Sequence, residues 1–253
     1  MKKYKFTIIT VTYNAVRTVE DTICSVLSQT YPDIEYIIVD GASNDGTLSI
    51  IDRYRDRISR VISEPDKGPY DAMNKGITMA TGDVIGLLHS DDVYADIDAI
   101  TRISEPFNRD NVDSVFSDLV FVGKTNIDKI TRYFCADDFT VDRFAYGCMP
   151  PHPTFFAKKE CYNKYGIFKA DYHIAADFEL VARFLLKFGI SYRYVPGVLV
   201  KMRMGGKSTG SLKSNFILNN EILRACRENG INTNIMKVYS KYITKIAQKF
   251  RRP

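Results

Sequence analysis

No tryptophan occurs among the 253 residues, and no acidic residue occurs between Ile231 and Pro253. Cysteine is sparse and odd in number: Cys24, Cys135, Cys148, Cys161 and Cys226, none in a Cys-x-x-Cys pair. That usage argues against a disulfide framework and for buried thiols in a reducing compartment. No window approaches the ~18 uninterrupted apolar residues of a membrane span. Met1-Lys2-Lys3 runs directly into strand-like sequence, without the apolar core and small-residue cleavage site of a signal peptide. The expected location is therefore the cytosol, either free or on the cytosolic face of a membrane. Internal repeats and low-complexity segments are also missing.

What is present suffices for one large α/β domain with a short appendage. Apolar residues make up 45% of the chain, enough for a core that needs no covalent staples. The net charge of +5 is unevenly spread. Lys237, Lys241, Lys245, Lys249, Arg251 and Arg252 crowd the C-terminus, while the rest is near neutral. This points to a local basic surface rather than to a nucleic-acid-binding domain.

The first half alternates strand and helix. Short apolar, β-branched runs at Phe6–Thr12, Ile34–Val39, Arg60–Glu64 and Val84–Leu88 read as strands. Helical spacing lies between them at Val16–Gln29, Gly46–Arg57 and Pro69–Ala80, with Pro69 suited to a first turn. That rhythm predicts right-handed crossovers and a parallel sheet. In the second half, Asp113–Gly123 and Lys129–Phe134 read as antiparallel strands. Cys148–Pro153 reads as a proline-fixed loop, Ala175–Phe188 as an amphipathic helix and Tyr192–Met202 as a strand. Gly205–Gly210 reads as a hinge, and Asn215–Glu228 and Ile235–Phe250 as helices.

Two runs carry the chemistry: Asp40-Gly41-Ala42-Ser43-Asn44-Asp45-Gly46-Thr47 and His89-Ser90-Asp91-Asp92. Each follows a buried strand, so each sits at the C-terminal mouth of the parallel sheet, where open α/β sheets bind nucleotides. Asp91 and Asp92 are hard oxygen donors of the kind that hold Mg²⁺ or Mn²⁺ against a diphosphate. Two acids capping the next helix would leave the same trace.

With Thr10-Val11-Thr12-Tyr13-Asn14, Asp66-Lys67-Gly68-Pro69-Tyr70-Asp71-Ala72-Met73-Asn74-Lys75-Gly76, Ala80-Thr81-Gly82-Asp83 and Ser90-Asp91-Asp92 in this order, the chain resembles the family 2 glycosyltransferases. These are inverting enzymes of the GT-A fold. The likeness is close over roughly the first hundred residues and looser through Ala176-Asp177-Phe178-Glu179-Leu180 to Gly206. Within the family it most resembles the bacterial transferases of exopolysaccharide, capsule or O-antigen assembly.

The resemblance implies a mostly parallel sheet flanked by helices over residues 1–210, followed by a helical tail over 211–253. It implies that Asp40 accepts N3–H of a uracil ring, with Val11, Tyr13, Asp66 and Asn74 near base and ribose. Asp91 would face the diphosphate, and the metal, Mn²⁺ or Mg²⁺, would rest on Asp91 and Asp92. The family often carries an acid where His89 stands, which leaves His89 as either a ligand or a hydrogen-bond donor. Asp177 would be the general base, with Glu179 as competitor. His152 and Arg203 are candidates for the acceptor region and for a mobile basic loop over the diphosphate. Processive members use a Gln-x-x-Arg-Trp motif, which a chain without tryptophan lacks, so a single addition is expected.

The implied reaction moves one sugar from a UDP-sugar to a saccharide on a polyprenyl diphosphate. A nucleotidyltransferase and a non-catalytic sugar-nucleotide-binding protein are the alternatives. The first would be expected to show a Gly-rich basic loop where Thr12-Tyr13-Asn14-Ala15 stands. In the tail, Ile235, Met236, Val238, Tyr239, Tyr242, Ile243, Ile246, Ala247 and Phe250 alternate with lysines every four residues. This is a basic amphipathic helix suited to an anionic membrane surface or to packing on the domain or a second subunit.

Overall fold

The computed structural model describes residues 3–205 and 212–248. The expected hinge at Gly205–Gly210 and the basic residues Lys249, Arg251 and Arg252 therefore lie almost wholly outside the described residues.

The chain begins with β1 (Phe6–Thr12), α1 (Val19–Leu27), β2 (Ile34–Asp40), α2 (Thr47–Asp52), β3 (Arg60–Ser63), α3 (Pro69–Met79) and β4 (Val84–Leu87). β1, β2, β3 and β4 are mutually parallel in the order β3-β2-β1-β4. Strand periodicity explains why the runs are apolar throughout. Phe6 and Ile8 of β1 enter one core cluster, and Ile9 and Val11 enter the other. In β2, Tyr36 and Ile38 face the first, Ile37 and Val39 the second. A sheet covered on both faces needs apolar side chains in both directions. α1 opens with Glu20 and Asp21 in its first turn, where acids suit the helix dipole.

Then follow β5 (Val93–Tyr94), α4 (Ala99–Asp110), β6 (Ser114–Val122), β7 (Ile130–Phe134), β8 (Phe156–Lys158), α5 (Lys159–Tyr165), α6 (Ala176–Ala182), β9 (Tyr192–Arg203), α7 (Leu212–Glu228) and α8 (Ile235–Gln248). β8 lies antiparallel between β4 and β6, β9 runs parallel to β6, and β7 pairs antiparallel with β6. The sheet is thus parallel in one half and mixed in the other.

The expected single helix from Ala175 to Phe188 breaks at Arg183 into a π-helical turn over Arg183–Lys187. The guanidinium of Arg183 donates there to the carbonyls of Tyr165 and Ile167. α7 is no mere appendage: Ile222, Ala225 and Cys226 join the core cluster that covers α3 and α6, as does Val238 of α8. Of the five cysteines only Cys161 and Cys226 are buried, so the expectation of buried thiols holds for two and not for the other three.

Gly86 in β4 marks the tightest packing between the two halves. A Cβ there would lie 2.1 Å from Cε1 of Phe156 on β8, a direct clash. Overpacking of this kind costs about 1–3 kcal/mol. Gly86→Ala is expected to lower the urea midpoint accordingly, and Phe156→Leu in the same chain to recover part of the loss. An unchanged midpoint for Gly86→Ala would show that β4 and β8 have room to separate.

Candidate active site

Register puts the expected residues at one edge. Thr12 pairs with Asp40 at the ends of β1 and β2, and Ile9 pairs with Leu87 of β4, two residues before His89. The loops after β1 and β2 are laced together. The backbone N–H groups of Asn14, Ala15 and Val16 donate to Ser43 Oγ, Thr47 Oγ1 and Asp45 Oδ2, at 2.8, 2.8 and 3.1 Å. Asn14 Oδ1 accepts from the N–H of Asn44 in return. These bonds delay the first turn of α1 to Val19, three residues later than its apolar spacing suggests. Asn14 and Ala42 take left-handed backbone angles, φ 50° and 61°, which non-glycine residues adopt at some cost.

Asp40 forms the floor of this mouth and is fully buried. Its carboxylate accepts from Ser43 N at 2.9 Å, Ser63 Oγ at 2.7 Å and Ser43 Oγ. Asp66 and Tyr13 close over Gly41: a Cβ on Gly41 would lie 2.5 Å from Asp66 Oδ2 and 3.4 Å from the Tyr13 ring. Tyr13 is 64% exposed, while Val11 is buried. The structure therefore brings Val11, Tyr13, Asp40 and Asp66 together. Asn74 is not free to join them. Its amide donates to Phe168 O at 2.8 Å and accepts from Phe168 N at 2.9 Å. It anchors Phe168 rather than presenting itself to a base.

The aspartate pair divides. Asp91 is partly exposed, whereas Asp92 is buried against β9. Asp92 Oδ1 accepts the N–H of Arg203 at 3.2 Å, and its Oδ2 has no partner. Burial pushes the Asp92 carboxyl well above the carboxylate range, and the charge of Asp91 adds to the effect. Arg203 departs from the expected mobile loop. It is the last residue of β9, nearly buried, and its guanidinium holds Asp91 O at 2.7 Å and the carboxylate of Asp21. A guanidinium with its donors committed in this way positions the turn and does not swing over a ligand.

From Asp91 a line of side chains runs across the mouth. The ring of His89 lies 5.5 Å from that of His152, and His152 stands 6.1 Å edge-on to Phe168. Phe168 stacks on Tyr70 at 5.7 Å. The Tyr70 hydroxyl donates to Ile174 O, and its phenol is pushed upward first by burial and then by the charge of Asp177. Burial drives His152 down to about 3, and it lowers His89 as well, against the charge of Asp91. His152 Nε2 is buried without a partner.

Asp177 stands in the first turn of α6 and accepts the N–H of Phe178 at 2.8 Å. Burial pushes its carboxyl up to about 6. Glu179, the competitor, is fully buried and bound to Arg183 at 3.0 Å and Lys169 at 2.8 Å. Its oxygens are committed to that ion pair. Phe168, the link between His152 and Tyr70, carried no signal in the sequence. Tyr70 lay within a recognised run but carried no polar signal of its own.

The model of glycosyl transferase family 2 matches residues 7–166. The chain belongs to that family. An uncharacterized glycosyltransferase of Mycobacterium tuberculosis is 31% identical over 178 residues, covering 70% of this chain and 67% of its own length. The PGL/p-HBAD biosynthesis glycosyltransferase of Mycobacterium bovis is 25% identical over 217 residues, 84% of this chain and 82% of its own.

Among solved structures, S. aureus TarS 1-349 in complex with UDP-GlcNAc superposes with a TM-score of 0.68 at 18% identity, over 87% of this chain and 66% of that one. The mannosyltransferase PcManGT of Pyrobaculum calidifontis, in complex with GDP-Man and Mn²⁺, gives 0.64 at 17% identity, over 100% and 82%. The fold is therefore GT-A, as the motif order implied. Asp177 lies beyond the matched segment, so its place rests on geometry.

Proposed function

We propose that this family 2 enzyme transfers one sugar from a UDP-sugar to a saccharide hydroxyl with inversion, as a step in bacterial surface polysaccharide synthesis. The observation that carries the reading is the line of rings His89, His152, Phe168 and Tyr70. It runs between the turn that bears Asp91 and Asp92 and the carboxyl of Asp177, which burial raises.

Inverting displacement needs one base. Asp177 takes the proton from the acceptor hydroxyl as that oxygen forms its bond to C1 of the donor sugar. The bond from C1 to the diphosphate oxygen breaks on the opposite face, and the nucleoside diphosphate leaves with the electron pair. Asp40, Asp66, Tyr13 and the backbone at Val11 form the cradle for the base and ribose. The chemistry of Asp40 fits a uracil N3–H, since a carboxylate is purely an acceptor.

A divalent cation suits the other end. Among the described residues no three acidic, histidine or cysteine side chains cluster as a complete metal site. Mg²⁺ and Mn²⁺, however, need only one or two carboxylates when substrate phosphates and water complete the shell. Asp91 and the unpartnered Asp92 Oδ2 are the residues that would hold it. When bound, the metal supplies charge stabilisation to the leaving diphosphate.

The names of two relatives support the cellular setting: PGL/p-HBAD biosynthesis for one, and teichuronic acid biosynthesis for TuaG of Bacillus subtilis, 43% identical over 90 residues, 34% of this chain and 36% of its own. A lipid-linked acceptor agrees with the surface of α7 and α8. Phe216, Ile235, Met236 and Tyr239 are exposed there, while Val238 and Lys241 pack inward. No described helix is long and apolar enough to cross a membrane. Peripheral docking on an anionic inner leaflet is the arrangement proposed.

Asp177→Asn is expected to bind UDP normally yet lose roughly 10²-fold or more in turnover, the scale of general-base catalysis. Because the base must be ionised, wild-type kcat/KM should fall as pH drops through about 6. Full turnover in the variant would remove Asp177 from the role.

Calorimetry should show Asp40→Ala weakening uridine and UDP alike, with thermal melting monitored to separate loss of the Ser43 and Ser63 bonds from loss of the base contact. Equal UDP affinity in a folded variant would refute the uracil assignment.

Liposomes containing anionic lipid should float the full chain in low salt and release it in high salt, because screening acts within about 10 Å at 0.1 M. A chain carrying Met236→Ser and Tyr239→Ser should float less. Flotation of neither protein would leave α8 as a purely packing helix.

A further inference from the structure

Glu221 lies near the middle of α7, far in sequence from the motifs of the family, and is nearly buried. Its carboxylate accepts three successive backbone N–H groups: His173 at 2.7 Å, Ile174 at 2.8 Å and Ala175 at 2.9 Å. These are the three residues that lead into α6. Among the described residues, no lysine or arginine pairs with Glu221; its partners are backbone donors only. The opposite side of the same segment is held by the Tyr70 hydroxyl on Ile174 O. Asp177 follows two residues after the last of these N–H groups. Its backbone is thus gripped from α3 on one side and from α7 on the other.

We propose that Glu221 is the positioning residue for Asp177: by gathering the His173–Ala175 amides it fixes the start of α6 and the direction of the base. This rests on the assignment of Asp177 as general base. The physical case is that an ionised acceptor bonds N–H groups about twice as strongly as a neutral one. Three such bonds at the end of a helix leave its first turn little freedom. Misplacement of a catalytic group by as little as an ångström can cost 10²-fold in rate.

The placement has a second, electrostatic consequence. The groups that face Asp177 are Tyr70 from α3, Glu221 from α7, and the N–H of Phe178 and its own N–H within α6; His173, on the approach, is exposed. The negative charge of Glu221 therefore favours the protonated form of Asp177, adding to burial, while the two N–H groups favour the carboxylate.

The test uses the full chain with its donor and acceptor, comparing Glu221→Gln, Glu221→Asp and Asp177→Asn. Glu221→Gln keeps the shape but removes the charge. It should lower kcat by roughly 10-fold or more, leave the donor KM within about twofold, and move the acid limb of kcat/KM to lower pH. Glu221→Asp keeps the charge on a shorter arm. It should lower kcat while leaving the acid limb near its wild-type position, and it decides the matter if the Gln variant does not fold.

Wild-type kcat and an unmoved acid limb in folded Glu221→Gln, beside an inactive Asp177→Asn, would overturn the role of Glu221 alone. An active Asp177→Asn would overturn the base assignment and this proposal with it.

Discussion

The in-register pairing of β1 with β2 and β4 is the constraint on which the site depends. Once Thr12 stands beside Asp40, and Ile9 beside Leu87, three loops must emerge at one edge of the sheet. A slip of one residue would turn every side chain to the other face and exchange the two cores. Ile9, Val11, Ile37 and Val39 on one side, against Phe6, Ile8, Tyr36 and Ile38 on the other, fix that register by burial. The polar chemistry at the mouth is therefore a consequence of apolar packing beneath it.

This explains why the first half was legible in the sequence. β1 occupies the span its apolar run suggested, and β2, β3 and β4 differ only at their last residue. Strands buried on both faces leave continuous β-branched runs, and Gly-Asp-rich loops punctuate them. β8 has three residues and β5 two, too few for any period to register. α4 carries Pro106 in its interior, a residue that normally ends a helix, and its sequence is polar on average. The elements that were missed are those whose existence depends on tertiary partners.

The site divides in the same way. Asp40, Asp66 and Asp91 stand at strand ends or in the loops beyond them, and strand ends can be read from sequence. What each side chain touches cannot. Asn74 lies in a recognised run, yet its amide serves Phe168 from the far side of the chain. Arg203 looked like the root of a basic loop, but β9 carries it into the interior to tie Asp21 to the turn at Asp91. A sequence shows which residues are polar, and only the packing shows whether their hydrogen-bonding capacity is already spent.

That accounting also separates the buried acids. Asp40, Asp118 and Glu221 each accept three hydrogen bonds, and Glu179 is held by two cations. Although a carboxylate holding three bonds can accept a fourth, as proposed for Asp40, each is well satisfied, as buried polar groups usually are. Asp92 and Asp177 are not. Asp92 keeps one oxygen without a partner, and Asp177 has only the N–H groups of its own helix start. Both carboxyls are raised toward the protonated form by burial, a state that is costly to maintain unless something arrives to relieve it. In the proposed reaction, a cation would relieve the first and a proton from the acceptor hydroxyl the second. These two unsatisfied acids would stand at its two ends, the departing diphosphate and the attacking oxygen, while Glu221, Asp118 and Glu179 hold the frame between them.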